Sequence, residues 1–512
     1  MTDYICEVCE FKYSEEREGK KWDELPEEWL CPVCESSKSC YKAAGKPTRA
    51  PVSASGVSAA ASGSATGTTA GLPSGAGSPA VAAASAPAGT PAGAAVEAGT
   101  AGEAVAFVTE SLRKADEIEI HMEDIHAMAE TGASITEPMR TRKPVFSWDD
   151  ILVRGAQLAK IPLNRDHPVN ATTTIGPLAK QPLVIQTPIL VTHMSFGALS
   201  REAKIALAKG SGAAKTATGS GEGGILPEAM EQAYRYIFEY VPNKYSATEE
   251  NLKRVDAIEI KFGQSAKPGM GGHLPGEKVT REIAAIRGFE EGSDIISPAH
   301  FDEIRSKDDL KGVVAWLRAT SGGKPIGIKF AAGHIEADLD VALYVEPDFI
   351  TIDGRAGSTG ASPKFVKAAA SVPTIFALCR ARKCLKERGA THVSLVITGG
   401  LRISSDFAKA LALGADAVAI GTAALVAIGC RQYRICHTGL CPTGITTQKP
   451  SLRARLNIDE AARRLENFLR VSTEELRDFA RLTGNDDVHG LSLHDVCTTN
   501  SEISNHTEIE HV

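Results

Sequence analysis

The sequence predicts an α/β chain built around a (β/α)8 TIM barrel, with a small metal domain at its amino end. Three observations carry this. From residue 189 onward, short β-branched runs alternate with amphipathic stretches over roughly 240 residues. The loops that follow those runs are rich in glycine. Ahead of them stand two C-x2-C pairs and a long uncharged stretch. A doubly wound sheet is the other arrangement of the same alternation. The expected boundaries are 1–42 for the metal domain, 43–103 for a linker, 104–184 for a helical lead-in, 185–430 for the barrel and 430–512 for a cysteine loop with a helical tail.

The metal domain rests on Cys6-Glu-Val-Cys9 and Cys31-Pro-Val-Cys34, separated by 21 residues. Four thiolates at this spacing make a tetrahedral site for zinc or a single iron. Tyr4, Phe11, Tyr13, Trp22, Trp29 and Tyr41 surround the pairs, as a tiny domain needs when metal replaces most of its core. Residues 1 to 41 hold eleven acidic against five basic side chains, a net of −6, close to the −7 of the whole chain. That acidity excludes nucleic acid as this domain's partner and calls for a basic docking face elsewhere.

Residues 50 to 96 contain no charged side chain and are almost entirely Ala, Gly, Ser, Thr, Pro and Val. Such a segment buries too little apolar surface to offset its ordering entropy, so a flexible tether is expected, spanning about 40 Å. The small domain is expected to be leashed rather than packed. Ala104, Phe107, Val108, Leu112, Ile118, Ile125 and Met128 recur at helical intervals and predict a helix over 104–130.

Eight runs read as barrel strands: 189–193, 214–218, 257–262, 294–297, 326–330, 349–353, 393–398 and 417–421. Stretches 200–209, 364–370 and 405–413 read as helices between them. Active sites of this fold sit at the carboxyl ends of the strands, and the loops after strands seven and eight are the usual phosphate cradle. Gly399, Gly400, Gly421 and Thr422 are therefore the expected phosphate-binding residues. Gly219-Ser-Gly-Glu-Gly-Gly224 fits the dinucleotide pattern G-x-G-x-x-G. It falls inside the barrel with no acidic ribose partner, which argues against a nicotinamide site.

Cys430, Cys436 and Cys441 form a C-x5-C-x4-C loop after the last run, among Arg431, Gln432, Arg434 and His437. Thiolates so close in a polar loop are iron–sulfur ligands, and three of them point to a 3Fe-4S cluster or a 4Fe-4S cluster with an unfilled corner. Seven of the eleven cysteines thus belong to metal motifs. This suits a reducing cytoplasm, and Cys40, Cys379, Cys384 and Cys497 read as plain thiols. No run of eighteen apolar residues and no basic-then-apolar amino terminus occurs, so neither a membrane span nor a secretory signal is expected.

Taken together, Met194 to Ser200, Gly221-Glu-Gly-Gly224, Ala266-Lys-Pro-Gly269, Leu274-Pro-Gly276, Thr359-Gly-Ala-Ser-Pro363 and the cysteine loop with Thr446-Thr-Gln448 resemble the FMN-binding synthase domain of glutamate synthase, in its stand-alone archaeal-type form. The resemblance implies FMN, a three-iron cluster on Cys430, Cys436 and Cys441, and reduction of 2-iminoglutarate, formed from 2-oxoglutarate and ammonia, to L-glutamate. By the same resemblance Lys267 and Arg287, with Lys261, anchor the two carboxylates. Lys329 favours negative charge on the reduced flavin, Gln264 bonds the ring, and Met194 and Ser195 lie against it. His273 and Met270 stand where the glutaminase-fused members have Gln and Glu, a change that bears on substrate choice.

Trp22 to Cys34 resembles rubredoxin, which implies a one-electron iron site. The shorter inter-knuckle loop, and Glu10 and Glu35 in place of glycine, leave zinc open. The fused synthases begin with a cysteine nucleophile, whereas this chain begins Met1-Thr-Asp-Tyr4. Ammonia is therefore expected from solution or from a separate glutaminase subunit, and electrons from a donor protein, within a homo-oligomer or multi-subunit complex. The rival readings are N-methylglutamate synthase or a related amino-acid dehydrogenase, and an electron-relay subunit whose barrel only holds FMN.

Overall fold

The structure, a computed structural model, describes residues 3–6, 12–32, 37–43, 120–139 and 146–512. Eight parallel strands close into a barrel in chain order: β1 Ile189–Val191, β2 Ala217–Gly219, β3 Arg235–Tyr240, β4 Ala257–Lys261, β5 Ile326–Ala331, β6 Phe349–Asp353, β7 Ser394–Thr398 and β8 Ala417–Ile420. The ring closes where Val418 pairs with Ile189 and Val191 pairs with Thr218. Helices Arg201–Ala213, Lys307–Thr320, Ile335–Tyr344, Thr374–Glu387 and Ser404–Ala412 cover it, as a parallel sheet with two buried faces requires. Cys379 and Cys384 lie on the fourth of these helices, and burial pushes the Cys379 thiol up to about 12.

The count of eight is right, but one member differs. The run at 294–297 is not a barrel strand: Ile295–Ile296 pairs antiparallel with His273–Leu274, inside the excursion that follows β4. The strand missed is β3, Arg-Tyr-Ile-Phe-Glu-Tyr. Its Glu239 breaks the apolar run in sequence, because that side chain faces charged partners inside the barrel instead of hydrocarbon.

The helix Ile458–Leu482 packs along Arg201–Ala213 so closely that a Cβ at Gly210 would meet the Ala462 carbonyl oxygen at 2.6 Å. The tail ends in a strand, Val496–Thr498, paired with Ile151–Val153, and Cys497 faces Leu152 in that pairing. Among the described residues no helix is long and apolar enough to cross a membrane.

At the amino end Asp3–Cys6 is the central strand of a three-stranded antiparallel sheet, flanked by Lys12–Ser14 and Tyr41–Ala43. Its core is aromatic: Tyr4 stacks on Trp22 at 4.4 Å, and Tyr13 and Trp29 meet Trp22 edge-on. Cys6 and Cys31 are buried in that core. Cys9, Cys34 and Phe11 lie outside the described residues, as do the expected linker and the 104–119 part of the expected helix, which is seen as Met122–Thr131. Where the sequence predicts no packing of the small domain, Tyr433 of the cysteine loop packs against this aromatic core; the expected tether, residues 50–96, lies outside the described residues.

Candidate functional site

One cavity opens at the carboxyl ends of the strands, with about 1760 Å³ of space continuous with solvent. Of the expected residues, Met194, Ser195, Lys261, Gln264, His273, Arg287, Lys329, Gly399, Gly400, Gly421, Thr422, Cys430, Cys436 and Cys441 all line it. Lys267 does not: it is buried beneath the loop after β4, with its Nζ donating to the Gly271 carbonyl at 2.9 Å. Burial lowers its pKa to about 8.

Side-chain bonds tie the loops after β4, β6 and β8 together. Ser265 donates to the Ser358 carbonyl at 2.8 Å, Ser358 and Thr422 share a hydroxyl contact at 3.2 Å, and Gln264 Nε2 reaches Thr359 at 3.5 Å. Gly399 and Gly400, with φ of 111° and 89°, sit at the end of β7, and side chains there would strike the Gly354 carbonyl oxygen at 2.6 Å and Ala356 Cβ at 2.3 Å. Bare backbone at the mouth of the last strands is what a phosphate requires, so the residues present fit the phosphate end of FMN.

Beneath this mouth lies a buried ionic layer. Lys261 Nζ stands 2.8 Å from Glu222 and 3.4 Å from Glu239, Lys329 Nζ stands 3.5 Å from Glu239 and 3.6 Å from Glu259, and His193 Nε2 stands 3.1 Å from Glu259. Thr351 donates to Glu259, and Lys261 to Gln264. Burial pushes the Glu239 carboxyl up, but Lys261, His193 and Lys329 together outweigh it and hold it at about 2. Burial works against the Lys329 ammonium, yet Glu259, Glu239 and Asp353 raise its pKa above the usual lysine value. Asp353, at the end of β6, is pushed up to about 6, chiefly by burial, and its Oδ1 has no hydrogen-bond partner. His193, Glu239 and Glu259 converge as a metal site would, but Lys261 and Lys329 already neutralise the carboxylates.

Arg287 ends the helix Arg281–Arg287, which Gly288 caps at φ 71°. Its guanidinium is held against the loops after β1 and β3, with Nη2 donating to the Phe196 carbonyl at 2.6 Å and the Tyr245 ring 5.6 Å away. Its Nε, which is buried, has no partner. His273 lines the same cavity and pairs with Asp294 at 2.8 Å, which keeps the Asp294 carboxyl below its usual range.

The three cysteines all line this cavity, with free thiols. Gln432 donates to Cys430 Sγ through its backbone at 3.4 Å and its side chain at 3.1 Å, and Thr443 lies 3.3 Å from Cys441 Sγ. Burial raises Cys430 and Cys436, whereas at Cys441 the bonds to Thr443 and Thr446 outweigh burial and lower it. Lys278 is buried beside them, bonded to the Ala198 carbonyl at 2.6 Å and to the Cys436 carbonyl at 3.3 Å. Three thiols lining one cavity, one of them with N–H donors, fit an iron–sulfur cluster.

The sequence reading missed His193, Glu222, Glu239, Glu259, Lys278 and Asp353. The available signal was the charge inside otherwise apolar strands: Glu239 in β3, Glu259 in β4 and Asp353 in β6 are buried acids at the carboxyl half of a barrel.

A family model described as a conserved region in glutamate synthase matches residues 109–486. An archaeal glutamate synthase [NADPH] of Methanocaldococcus jannaschii is 38% identical over 400 residues, 72% of this chain and 78% of that protein. An archaeal-type glutamate synthase [NADPH] of Thermotoga maritima is 36% identical, over 73% of this chain and 81% of that one. A glutamate synthase large subunit-like protein of Rhizobium meliloti is 36% identical, over 74% and 90%. Among solved structures, a flavocytochrome b2 variant aligns at TM-score 0.44 and 17% identity over 68% of this chain and 76% of its own, a likeness that adds nothing to the barrel already described. With more than half its length matched by the family model and relatives above 30% identity aligned over more than two thirds of both chains, this chain belongs to the glutamate synthase family.

Proposed function

We propose that this glutamate synthase-type, FMN-dependent oxidoreductase reduces 2-iminoglutarate, formed from 2-oxoglutarate and ammonia, to L-glutamate, with electrons entering through an iron–sulfur cluster on Cys430, Cys436 and Cys441. The observation that carries this reading is the meeting, in one cavity, of the bare glycines after β7 and β8, the cationic face of Lys261, Arg287 and Lys329, and the three thiols.

Gly399, Gly400, Gly421 and Thr422 would hold the phosphate of FMN, with Met194, Ser195 and Gln264 against the ring. FMN supplies the conversion of single electrons into a hydride. Arg287, with an unsatisfied buried Nε in the cavity wall, serves a substrate carboxylate, since a charge-assisted bond there meets both needs. Lys261 is the second cation that faces the cavity. Lys267 acts through the loop instead, because its ammonium fixes the Gly271 carbonyl and so the bend that brings His273 to the wall. The ionic layer of Glu239, Glu259 and Lys329 keeps a fixed positive group under the expected flavin site, where charge develops on reduction.

Cys6, Cys9, Cys31 and Cys34 would bind one iron, with zinc as the alternative, and the small domain would carry electrons from a donor protein. Ammonia would arrive free or from a separate glutaminase subunit. Purification without oxygen tests the cofactor assignment. The expected result is flavin absorbance with about three to four irons beyond the amino-terminal site; protein lacking both would overturn it.

A further inference from the structure

The loop between the first two cluster cysteines has a feature that ligating a cluster does not require. Gln432 and Arg434, neither of them glycine, both take left-handed backbone, with φ of 59° and 63°. Such pairs persist only where the surroundings hold them, and they cluster at functional positions. Between them stands Tyr433, half-buried, and its ring packs not on the barrel core but on the aromatic core of the amino-terminal domain, which contains Cys6, Tyr13, Trp22, Leu25, Cys31 and Tyr41. Tyr433 therefore touches a core that buries two of the four candidate thiol ligands at one end of the chain, and lies three residues from Cys430 and three from Cys436 at the other.

Charge favours the same contact. The small domain carries a net of −6 over residues 1 to 41, and the loop presents Arg431, which is exposed, beside Arg434. Opposite charge at a contact speeds encounter and fixes its register. An aromatic anchor inside a basic rim is also the composition of a specific protein contact, not of an incidental one.

We infer that residues 431–435 are the docking site for the chain's own amino-terminal metal domain, with Tyr433 as the anchor that seats the domain against the cluster loop. The inference rests on the function proposed above. In the docked arrangement Tyr433 would join a one-electron donor site that includes Cys6 and Cys31 to an acceptor site that includes Cys430 and Cys436. Each transfer oxidises the first by one electron and reduces the second by one; two transfers match the two-electron reduction of the imine, and an external one-electron donor restores the small domain. Tyr433 is a positioning residue and takes no part in bond making.

Hydrogen exchange on the full-length protein as purified tests this without recourse to activity. In wild type, amides of 12–32 and 430–436 should be protected together, and protection of 12–32 should weaken as ionic strength rises. Tyr433→Ala should speed exchange in both segments about tenfold or more while sparing the barrel strands, and Tyr433→Phe should restore the wild-type pattern. Arg431→Glu, at an exposed position, should speed exchange in 12–32 if Tyr433→Ala fails to fold. Wild-type protection of both segments in Tyr433→Ala and Arg431→Glu would overturn the docking site. Failure of docking alone would leave dithionite-driven glutamate formation intact in wild type. Absence of that glutamate formation with docking preserved would instead defeat the proposed function.

Discussion

Lys329 Nζ on β5 lies 3.6 Å from Glu259 Oε2 on β4, with both side chains buried inside the barrel. Glu239 completes the cluster 3.5 Å from the same ammonium. These three charges, from three adjacent strands, leave one carboxylate in excess, which Lys261 balances 3.4 Å from Glu239, in a site where an isolated ion would be strongly disfavoured.

Removal of that cation leaves two buried carboxylates short of a partner. Lys329→Met should destabilise the protein by about 3–5 kcal/mol in chemical denaturation and reduce flavin retention. Lys311→Met, which breaks a partly exposed contact with Glu346 and a cation–π contact with Tyr344, should change stability by less than about 1 kcal/mol.

Arg287 and Lys267, both after β4, should separate in kinetics. Arg287→Ala removes a cavity-facing cation and should cost on the order of ten- to a hundredfold in kcat/KM for 2-oxoglutarate at unchanged flavin content. Lys267→Ala should act more broadly, raising KM and loosening the 268–276 loop, because its ammonium bonds backbone. Wild-type 2-oxoglutarate kinetics in Arg287→Ala would remove the carboxylate assignment.

Iron content separates the cluster cysteines from the others. Cys436→Ser should lose the cluster iron and its visible absorbance, whereas Cys379→Ser, on a covering helix, should keep both.

Asp353 should leave a mark on stability against pH. Its folded-state pKa is raised to about 6, against about 3.9 in an unfolded chain, so the fold favours the protonated form. Wild type relative to Asp353→Asn should therefore be at its best below about pH 4, and should lose ground as pH rises to about 6, by up to about 3 kcal/mol, then level off. Glu239 runs the other way: its contribution is present above the ordinary carboxylate range and is lost only as pH falls toward about 2. A flat difference between wild type and Asp353→Asn from pH 4 to 7 would contradict the burial account.

The sequence disclosed the barrel because seven of its eight strands overlap short, mostly apolar runs that alternate with helical stretches, and it disclosed the cavity because glycine is costly at strand ends unless something approaches closely. β3 escaped because Glu239 and its aromatic neighbours disguise a buried strand as a mixed one. The ionic layer escaped for a related reason: a single Glu in a strand is silent until its partners, supplied by β4 and β5, are in register beside it. The orientation of Lys267 away from the cavity depends on how the loop after β4 folds back, which no local pattern encodes. The contact of Tyr433 with the small domain joins residues some four hundred positions apart, beyond the reach of periodicity.

The central claim is that this one chain converts 2-oxoglutarate and ammonia to glutamate at the cavity above the ionic layer. Anaerobic incubation of the purified, flavin-containing protein with dithionite, 2-oxoglutarate and either ammonium or glutamine tests it most directly. The account predicts L-glutamate formed in step with flavin reoxidation with ammonium, and at a lower rate with glutamine alone. Reduced flavin that stays reduced in the presence of 2-oxoglutarate and ammonium, with no glutamate formed, would contradict it.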